Sequence, residues 1–252
     1  MDLGLKGKNV IVTGGSRGIG RSTALAFAAE GANVAICARN PEALERARAE
    51  IAALGVSAFA QSCDVGDAAA LTAFMQAAND ALGGIDVLVN NPSGFGMADS
   101  DEGWAAGFNV DMMAAVRASW LVVPWMAARG GGAIVHIASI SGMEGSTRSI
   151  PYAAVKAAMI SHSKSLALSL ASKNIRVNCV SPGSVEFPGG VWEQRKLEGA
   201  PVYEATLKGI PFQRMGRPEE IAAAVVFCAS APASWLTGVN LPVDGGQHRG
   251  NL

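Results

Sequence analysis

The stretch Thr13-Gly14-Gly15-Ser16-Arg17-Gly18-Ile19-Gly20 joins an apolar run at residues 9–13 to a helical pattern, and we call it the glycine turn. Glycines at 14, 18 and 20 allow the backbone to turn tightly and to approach a pyrophosphate at the positive end of the following helix. A lone glycine-rich run is weak evidence, but its position between a strand and a helix supports a dinucleotide site. The predicted cofactor contacts in this turn are Gly14, Ser16, Arg17, Gly18, Ile19 and Gly20.

Short apolar runs bounded by turn residues alternate with helical patterns along the chain. The predicted strands are 9–13, 33–37, 57–62, 86–90, 133–139 and 176–181. Such runs are typical of strands buried on both faces. Strand–helix–strand repeats require right-handed crossovers and a mostly parallel sheet. The sequence therefore predicts an α/β, doubly wound fold in one domain that covers residues 1–252.

Two helical segments between these strands have one apolar side. The pattern at 41–54 places Leu44, Ala47, Ile51 and Leu54 together, and the next segment ends at Gly83-Gly84. By contrast, residues 184–217 are irregular, rich in Gly and Pro, and contain several aromatic residues. Their length and composition predict a lid or substrate-binding loop.

Composition limits the classes of partner. Of the 252 residues, 16% are charged and the formal net charge is -1, so no basic field favours nucleic acid or an anionic membrane. The four cysteines are scattered and no metal-ligand spacing occurs, so we expect reduced thiols and no metal site. The N-terminus lacks a signal pattern, and the longest apolar stretch is too short for a bilayer. We expect a cytoplasmic protein that acts on a small molecule.

The end of the second predicted strand bears on the choice of cofactor. An acidic residue there selects the 2′-hydroxyl of NAD, but this chain has Arg39, which suits a 2′-phosphate. Arg17 in the glycine turn offers a second cation for that phosphate. The alternative is that both are solvated surface arginines. We expect NADP(H) to be favoured, with NAD(H) possible.

A tyrosine and a lysine four residues apart, Tyr152-Ala-Ala-Val-Lys156, fall on the same face of one helix. An ammonium beside a phenol favours the phenolate, so the pair suggests proton transfer to or from an alcohol or ketone. Alone, the pair is also compatible with a half-buried tyrosine beside a solvated lysine.

Together with the glycine turn and the Tyr152–Lys156 pair, several further motifs occur in a fixed order. They are Asp64-Val65, Asn90-Asn91, Asn109, Ser139, Pro182-Gly183 and Asp244-Gly245-Gly246. This ordered set resembles the short-chain dehydrogenase/reductase family over nearly the whole chain. The resemblance implies a single Rossmann-type domain, commonly a homotetramer, that transfers hydride between NAD(P) and a carbonyl or alcohol carbon.

The same resemblance implies roles for four catalytic residues. Ser139 holds the substrate oxygen, Tyr152 supplies or accepts its proton, and Lys156 favours the phenolate and binds the nicotinamide ribose. Asn109 holds a water in the proton relay. Ser141 is the alternative to Ser139 if the register slips, and Asn109 could instead be only a polar residue inside a helix.

Further cofactor contacts are implied beyond the glycine turn. Asp64 faces the adenine with Val65 beside it, although Asp64 could equally be a turn or N-cap acid. Asn90 ends a cofactor strand. The last of these contacts follow the sixth strand, at Pro182, Gly183 and Val185. There the backbone of Val185 contacts the carboxamide.

The chain departs from the family pattern in two places. Pro92 and Ser93 follow the paired asparagines where Ala-Gly is usual, so the loop over the nicotinamide ribose takes an altered path. Phe187 stands where a threonine commonly meets the carboxamide, which puts that side-chain contact in doubt. Neither departure changes the proton-transfer set.

An NADPH-dependent oxidoreductase acting on an apolar ketone or a 3-oxoacyl substrate is the expected function. Apolar residues in segments near the carboxyl ends of the strands favour such a pocket. They are Phe95, Met97, Met143, Phe187 and Trp192. The alternative is a non-catalytic dinucleotide-binding protein that serves regulation or assembly. The three histidines share no spacing and are assigned no catalytic role.

Overall fold

Seven strands form a single sheet in the computed structural model, which describes residues 1–250, and every neighbouring pair runs parallel. The strands are β1 (Asn9–Thr13), β2 (Asn33–Ala38), β3 (Ala58–Ser62), β4 (Val87–Asn90), β5 (Gly132–Ile137), β6 (Ile175–Pro182) and β7 (Asn240–Val243). Their order across the sheet is β3-β2-β1-β4-β5-β6-β7. The predicted Rossmann-type doubly wound fold is therefore confirmed.

Helices cover both faces of this sheet. They are α1 (Gly18–Ala29), α2 (Pro41–Ala52), α3 (Ala68–Leu82), α4 (Asp101–Ala106), α5 (Ala114–Ala128), α6 (Ile150–Leu170), α7 (Val191–Leu197), α8 (Pro201–Gly209) and α9 (Pro218–Ala229). One face packs against α1, α2 and α9, and the opposite face packs against α3, α5 and α6. Burial of these two apolar layers holds the sheet between them.

No helix within residues 1–250 combines the length and the hydropathy that a transmembrane span requires.

Two elements differ from the sequence-based expectation. The last strand, β7, was not predicted, because it has only four residues, contains Pro242 and lies half exposed at the edge of the sheet. The helix predicted at 41–54 ends earlier, at Ala52. Leu54 therefore lies beyond the helix and is 48% exposed rather than buried with Leu44. The predicted end at Gly83 is confirmed, with Gly83 in the left-handed conformation that favours glycine.

The helical segment after β4 is interrupted by a wider turn. Between α4 and α5, residues Gly107–Met113 form a π-helix. A π-helical turn contains more residues than an α-helical turn, so it changes which side chains face the protein interior. Here Asp111 is buried and Asn109 is exposed.

The irregular segment at 184–217 contains α7 and α8 and has a small apolar cluster of its own. Tyr203, Ile210 and Met215 are buried in that cluster, with Trp192 and Leu207 packed against it. Tyr203 also donates a hydrogen bond to Glu186 at 2.6 Å. The lid function predicted for this segment stays a prediction.

A half-buried arginine joins β6 to the end of α9. The Arg176 guanidinium donates hydrogen bonds to the carbonyl oxygens of Cys228, Ala229, Ser230 and Leu236 at 2.6–3.2 Å. These include carbonyls that the end of a helix leaves without intrahelical partners. Their partial negative charge also favours a cation at this position.

We expect Arg176→Met to lower the free energy of unfolding by about 3 kcal/mol, because four carbonyl groups lose a charged donor. Chemical denaturation at neutral pH measures this loss. Arg176→Lys keeps the charge with fewer donors and should give an intermediate value. Equal stability of the Met variant and the unsubstituted protein would show that water replaces the guanidinium at no cost.

Candidate active site

The predicted site residues gather at the carboxyl edge of the sheet. The glycine turn follows β1, Arg39 follows β2, Asp64 and Val65 follow β3, and Asn90 ends β4. Ser139 follows β5, and Pro182 ends β6. The strand order reverses between β1 and β4, and in open α/β sheets ligands bind in the crevice at such a reversal.

The glycine turn is packed so tightly that its glycines are sterically required. A Cβ on Gly20 would lie 2.2 Å from the Gly14 carbonyl oxygen, and Gly14 itself has a φ of 69°. Asn91, which the sequence interpretation did not place in the site, holds this turn. Its side-chain nitrogen donates to the carbonyl oxygens of Thr13 and Gly14 at 3.2 and 3.1 Å. The end of β4 therefore fixes the shape of the turn after β1.

This turn fits the pyrophosphate of a dinucleotide. Arg17, the N-cap of α1, makes no side-chain capping hydrogen bond, and the first turn of α1 has no acidic residue. The N–H groups of that turn are thus available to an anion at the positive end of the helix. Gly14, Gly18, Ile19 and Gly20 all lie in this turn or at the start of α1.

Two arginines border the turn in different ways. Arg39 is exposed beyond the end of β2 and forms no ion pair with any residue in 1–250. Arg17 is also exposed, but it donates a hydrogen bond to the Gly189 carbonyl oxygen at 3.1 Å. Arg39 is therefore free to meet a 2′-phosphate, whereas Arg17 connects the glycine turn to the 184–217 segment.

The residues after β3 and at the end of β4 have local partners as well. Asp64 is exposed and accepts a hydrogen bond from the Gly66 N–H at 2.9 Å, which gives it a turn-forming role. Val65 is buried beside it. The Asn90 side-chain amide lies 3.2 Å from Nδ1 of His136, inside the sheet. A ligand role for Asp64, Val65 and Asn90 stays a prediction.

The segment after β5 brings Ser139 to α6. Ser139 is buried, and its Oγ accepts a hydrogen bond from the Ser141 N–H at 3.1 Å. A Cβ on Gly142 would lie 2.6 Å from the backbone carbon of Lys156, so this segment packs directly on the helix that carries Tyr152. The fold thereby places the three predicted residues Ser139, Tyr152 and Lys156 in one region.

Lys156 is buried, which excludes the alternative of a solvated lysine. Its Nζ lies 5.5 Å from the centre of the Tyr152 ring and donates to the Ile137 carbonyl oxygen at 3.0 Å. It also forms an ion pair with Asp111, at 2.9 Å from Oδ1. Burial lowers the pKa of Lys156, but electrostatic interactions with Asp111 and Tyr152 outweigh it and leave that pKa above its usual value.

The structure shows no contact between the Asn109 side chain and Lys156, and the relay role of Asn109 stays a prediction. Asn109 is exposed on the π-helix, and the residue that contacts Lys156 is Asp111. The prediction selected an amide by residue type, whereas the wide helical turn brings the carboxylate two positions later into the interior. One signal was present in the sequence: Asp111 is an acid in an apolar helical run, and a buried acid needs a partner.

Aromatic residues surround the reactive pair and the glycine turn. The Phe95 ring lies parallel to the Tyr152 ring, with centroids 6.3 Å apart, and its φ of 47° is uncommon for a residue with a side chain. The Phe187 ring packs on Gly18, where a Cβ would come within 2.5 Å of it. Phe187 thus contacts the glycine turn. Trp192 instead packs near Tyr203 in the 184–217 segment.

The segment after β6 is held by the end of the chain. The Gly183 N–H donates to the Val243 carbonyl oxygen at 3.1 Å, and a Cβ on Gly183 would lie 2.8 Å from Asp244. Val185 is buried and pairs with Gly216. Pro182 and Gly183 are therefore fixed at the edge of the crevice, ahead of Val185.

The arrangement of a glycine turn, a free Arg39 and a buried Lys156 beside Tyr152 at one sheet edge is that of an NAD(P)-dependent oxidoreductase. Comparison with known proteins agrees. A family model described as enoyl-(acyl carrier protein) reductase matches residues 14–248. The chain belongs to the short-chain dehydrogenase/reductase family.

Similar proteins of this family align over almost their full length. The 3-oxoacyl-(acyl-carrier-protein) reductase of Chlamydia trachomatis is 38% identical over 96% of this chain and 98% of its own. The structure of L-sorbose reductase from Gluconobacter frateurii with NADPH and L-sorbose has a TM-score of 0.91 at 35% identity, covering 99% of this chain and 100% of that one. A 7α-hydroxysteroid dehydrogenase complexed with NADH and 7-oxo glycochenodeoxycholic acid has a TM-score of 0.90 at 34% identity, covering 97% and 96%.

Burial of a histidine next to the site makes stability depend on pH. Burial, together with the neighbouring His162 and Lys156, lowers the pKa of His136 to about 3. An unfolded chain binds that proton near the ordinary value of about 6.5. The contribution of His136 to the free energy of unfolding is therefore fully present above about pH 6.5. It falls toward pH 3 by up to about 1.4 kcal/mol per pH unit.

We expect urea denaturation to give a lower free energy of unfolding at about pH 5 than at about pH 7.5, with a smaller difference in His136→Gln. The variant removes the group that the unfolded chain protonates, and its glutamine amide can still form a hydrogen bond with Asn90. The same pH dependence in both proteins would assign the effect to other groups.

Proposed function

We propose that this protein is an NADPH-dependent reductase of an apolar ketone or a 3-oxoacyl substrate, or the corresponding alcohol dehydrogenase in reverse. The observation that carries the proposal is the buried Lys156 ammonium, 5.5 Å from the Tyr152 ring and beside the crevice of the glycine turn. A buried cation next to a phenol at a nucleotide crevice supports proton transfer at an oxygen.

Ser139, Tyr152 and Lys156 each have a separate task in this reaction. A nicotinamide cofactor supplies the hydride. Ser139 Oγ accepts the Ser141 N–H, so its own proton is available to the substrate oxygen. Tyr152 donates the proton that the oxygen requires, and Lys156 compensates the charge that remains on the phenol.

Tyr152→Phe should lower kcat/KM for ketone reduction by at least about 100-fold, because the variant lacks the transferable proton. Loss of NADPH absorbance with a panel of ketones measures turnover, and fluorescence titration measures cofactor affinity, which should stay unchanged. Ser165→Ala is the control, since it removes an exposed hydroxyl from the same helix, α6, and should retain activity. Full activity of Tyr152→Phe would contradict the proton-donor role.

The preference for NADPH rests on Arg39. Its exposed guanidinium follows β2 without an ion partner in residues 1–250, at the position where an acid would select NAD. Arg17 is a weaker candidate, because it already donates to the Gly189 carbonyl oxygen.

Arg39→Ala should weaken NADPH binding about tenfold and leave NADH binding unchanged, because only NADPH has the 2′-phosphate. Arg46→Ala, which removes another exposed cation from the adjacent α2, serves as the control and should change neither affinity. An equal effect of Arg39→Ala on both cofactors would remove the basis for the NADPH preference.

The substrate class is inferred from the surroundings of Tyr152. Phe95 offers an aromatic face that is 48% exposed beside the Tyr152 ring, and the Phe187 ring covers Gly18 in the glycine turn. These apolar surfaces favour an apolar ketone or an acyl chain. The similar proteins that act on a 3-oxoacyl group or on a 7-oxo steroid support this class.

A homotetramer remains part of the proposal. Large apolar side chains are exposed on the outer helices and near the end of the chain, with Trp120 on α5, Leu168 on α6 and Trp235 before β7. Exposed apolar side chains of this size support contact with further copies of the chain.

A further inference from the structure

Asp111 and Lys156 form a buried pair of opposite charges beside Tyr152. Their side chains are 1% and 3% exposed, and Lys156 Nζ lies 2.9 Å from Asp111 Oδ1. A carboxylate is costly to bury and needs a defined partner. Asp111 lies in the π-helical turn Gly107–Met113, and its carboxylate reaches the ammonium from there.

The carboxylate is held from two directions. Oδ2 of Asp111 accepts a hydrogen bond from the Gly94 N–H at 2.7 Å, while Oδ1 contacts the ammonium. Gly94 belongs to the loop that contains Pro92 and leads to Phe95, whose ring lies parallel to the Tyr152 ring. Asp111 is thus fixed between the loop after β4 and α6, and its charge has a defined position.

No other ionised group pairs with Lys156 in residues 1–250. The titratable neighbours are Tyr152 on α6, His136 on β5 and Cys179 on β6. Burial keeps the last two neutral at physiological pH, because it raises the pKa of Cys179 to about 12 and lowers that of His136 to about 3. Asp111 is therefore the counter-charge of Lys156.

The presence of this counter-charge changes the chemistry of the phenol. A lone ammonium draws the proton from Tyr152 by stabilising the phenolate, whereas a carboxylate on the same ammonium repels the phenolate. We propose that Asp111 is a positioning residue that anchors Lys156 and offsets its charge, so that the ammonium stabilises the phenolate of Tyr152 less than an unpaired ammonium would and Tyr152 serves as the proton donor in ketone reduction. This inference rests on the proposed function for the identity of the reaction.

The charge effect has a direct optical test, because the chain has only two tyrosines. In a Tyr203→Phe background, the near-ultraviolet absorbance of tyrosinate reports Tyr152 alone. Adding Asp111→Asn, which removes the charge and keeps the shape, should move the titration midpoint to lower pH by about one unit. Asp111→Glu should keep the midpoint, and Asp101→Asn, which removes an exposed carboxylate from the start of α4, should also leave it in place.

A midpoint that is unmoved or raised in Asp111→Asn would overturn the inference, since a merely structural carboxylate does not shift this titration. If that variant does not fold, Tyr203→Phe alone decides. Tyrosinate absorbance near pH 7 would then overturn the inference, and its absence at that pH is the expected result.

The absorbance titration requires neither substrate nor cofactor. Its failure is therefore distinct from failure of the proposed function, which would appear as a lack of ketone turnover in the unsubstituted protein. Where turnover is present, the fall in kcat/KM for reduction at high pH should begin about one pH unit lower in Asp111→Asn than in the unsubstituted protein.

Discussion

The common direction of all the strands is the constraint on which this structure depends. Because β1 to β7 are parallel, their carboxyl ends meet at one edge, and because the strand order runs in both directions from β1, the right-handed crossovers lie on both faces of the sheet. The order reverses between β1 and β4, so the loops after these two strands diverge and leave a crevice. The Asn91 side chain, which follows β4, reaches the glycine turn after β1 and donates to two of its backbone carbonyls. Sheet topology alone therefore brings together residues that are distant in the sequence.

Much of the fold was predictable because each signal was local. Six strands were apolar runs between turn residues, and the structure places them within two residues of the predicted bounds. The glycine turn was recognisable because its backbone segments lie too close together for any Cβ at Gly20, so the sequence must have glycine there. The β7 strand was missed because Pro242 and edge exposure remove the apolar pattern. Leu54 was misplaced because the periodicity continues past the point where the helix ends at Ala52.

The site was predictable where spacing along a regular helix decides the geometry and was not predictable where the helix is irregular. Tyr152 and Lys156 are four residues apart in α6, and this spacing places both toward the same region. Asn109 and Asp111 lie in a π-helix, for which residue spacing gives no reliable face. Partners of buried charges depend on contacts between distant segments, such as the contact of Gly94 with Asp111.

The double attachment of Asp111 also has a consequence for protein engineering. Its two oxygens connect a loop that departs from the family pattern, at Gly94, with a lysine at the reactive centre. A graft that replaces the loop at 91–95 with a sequence from a relative keeps this hydrogen bond only if the new backbone presents an N–H at the position of Gly94. The loop, the π-helix and Lys156 therefore form one exchangeable module, and recombination between relatives should place its boundaries outside all three.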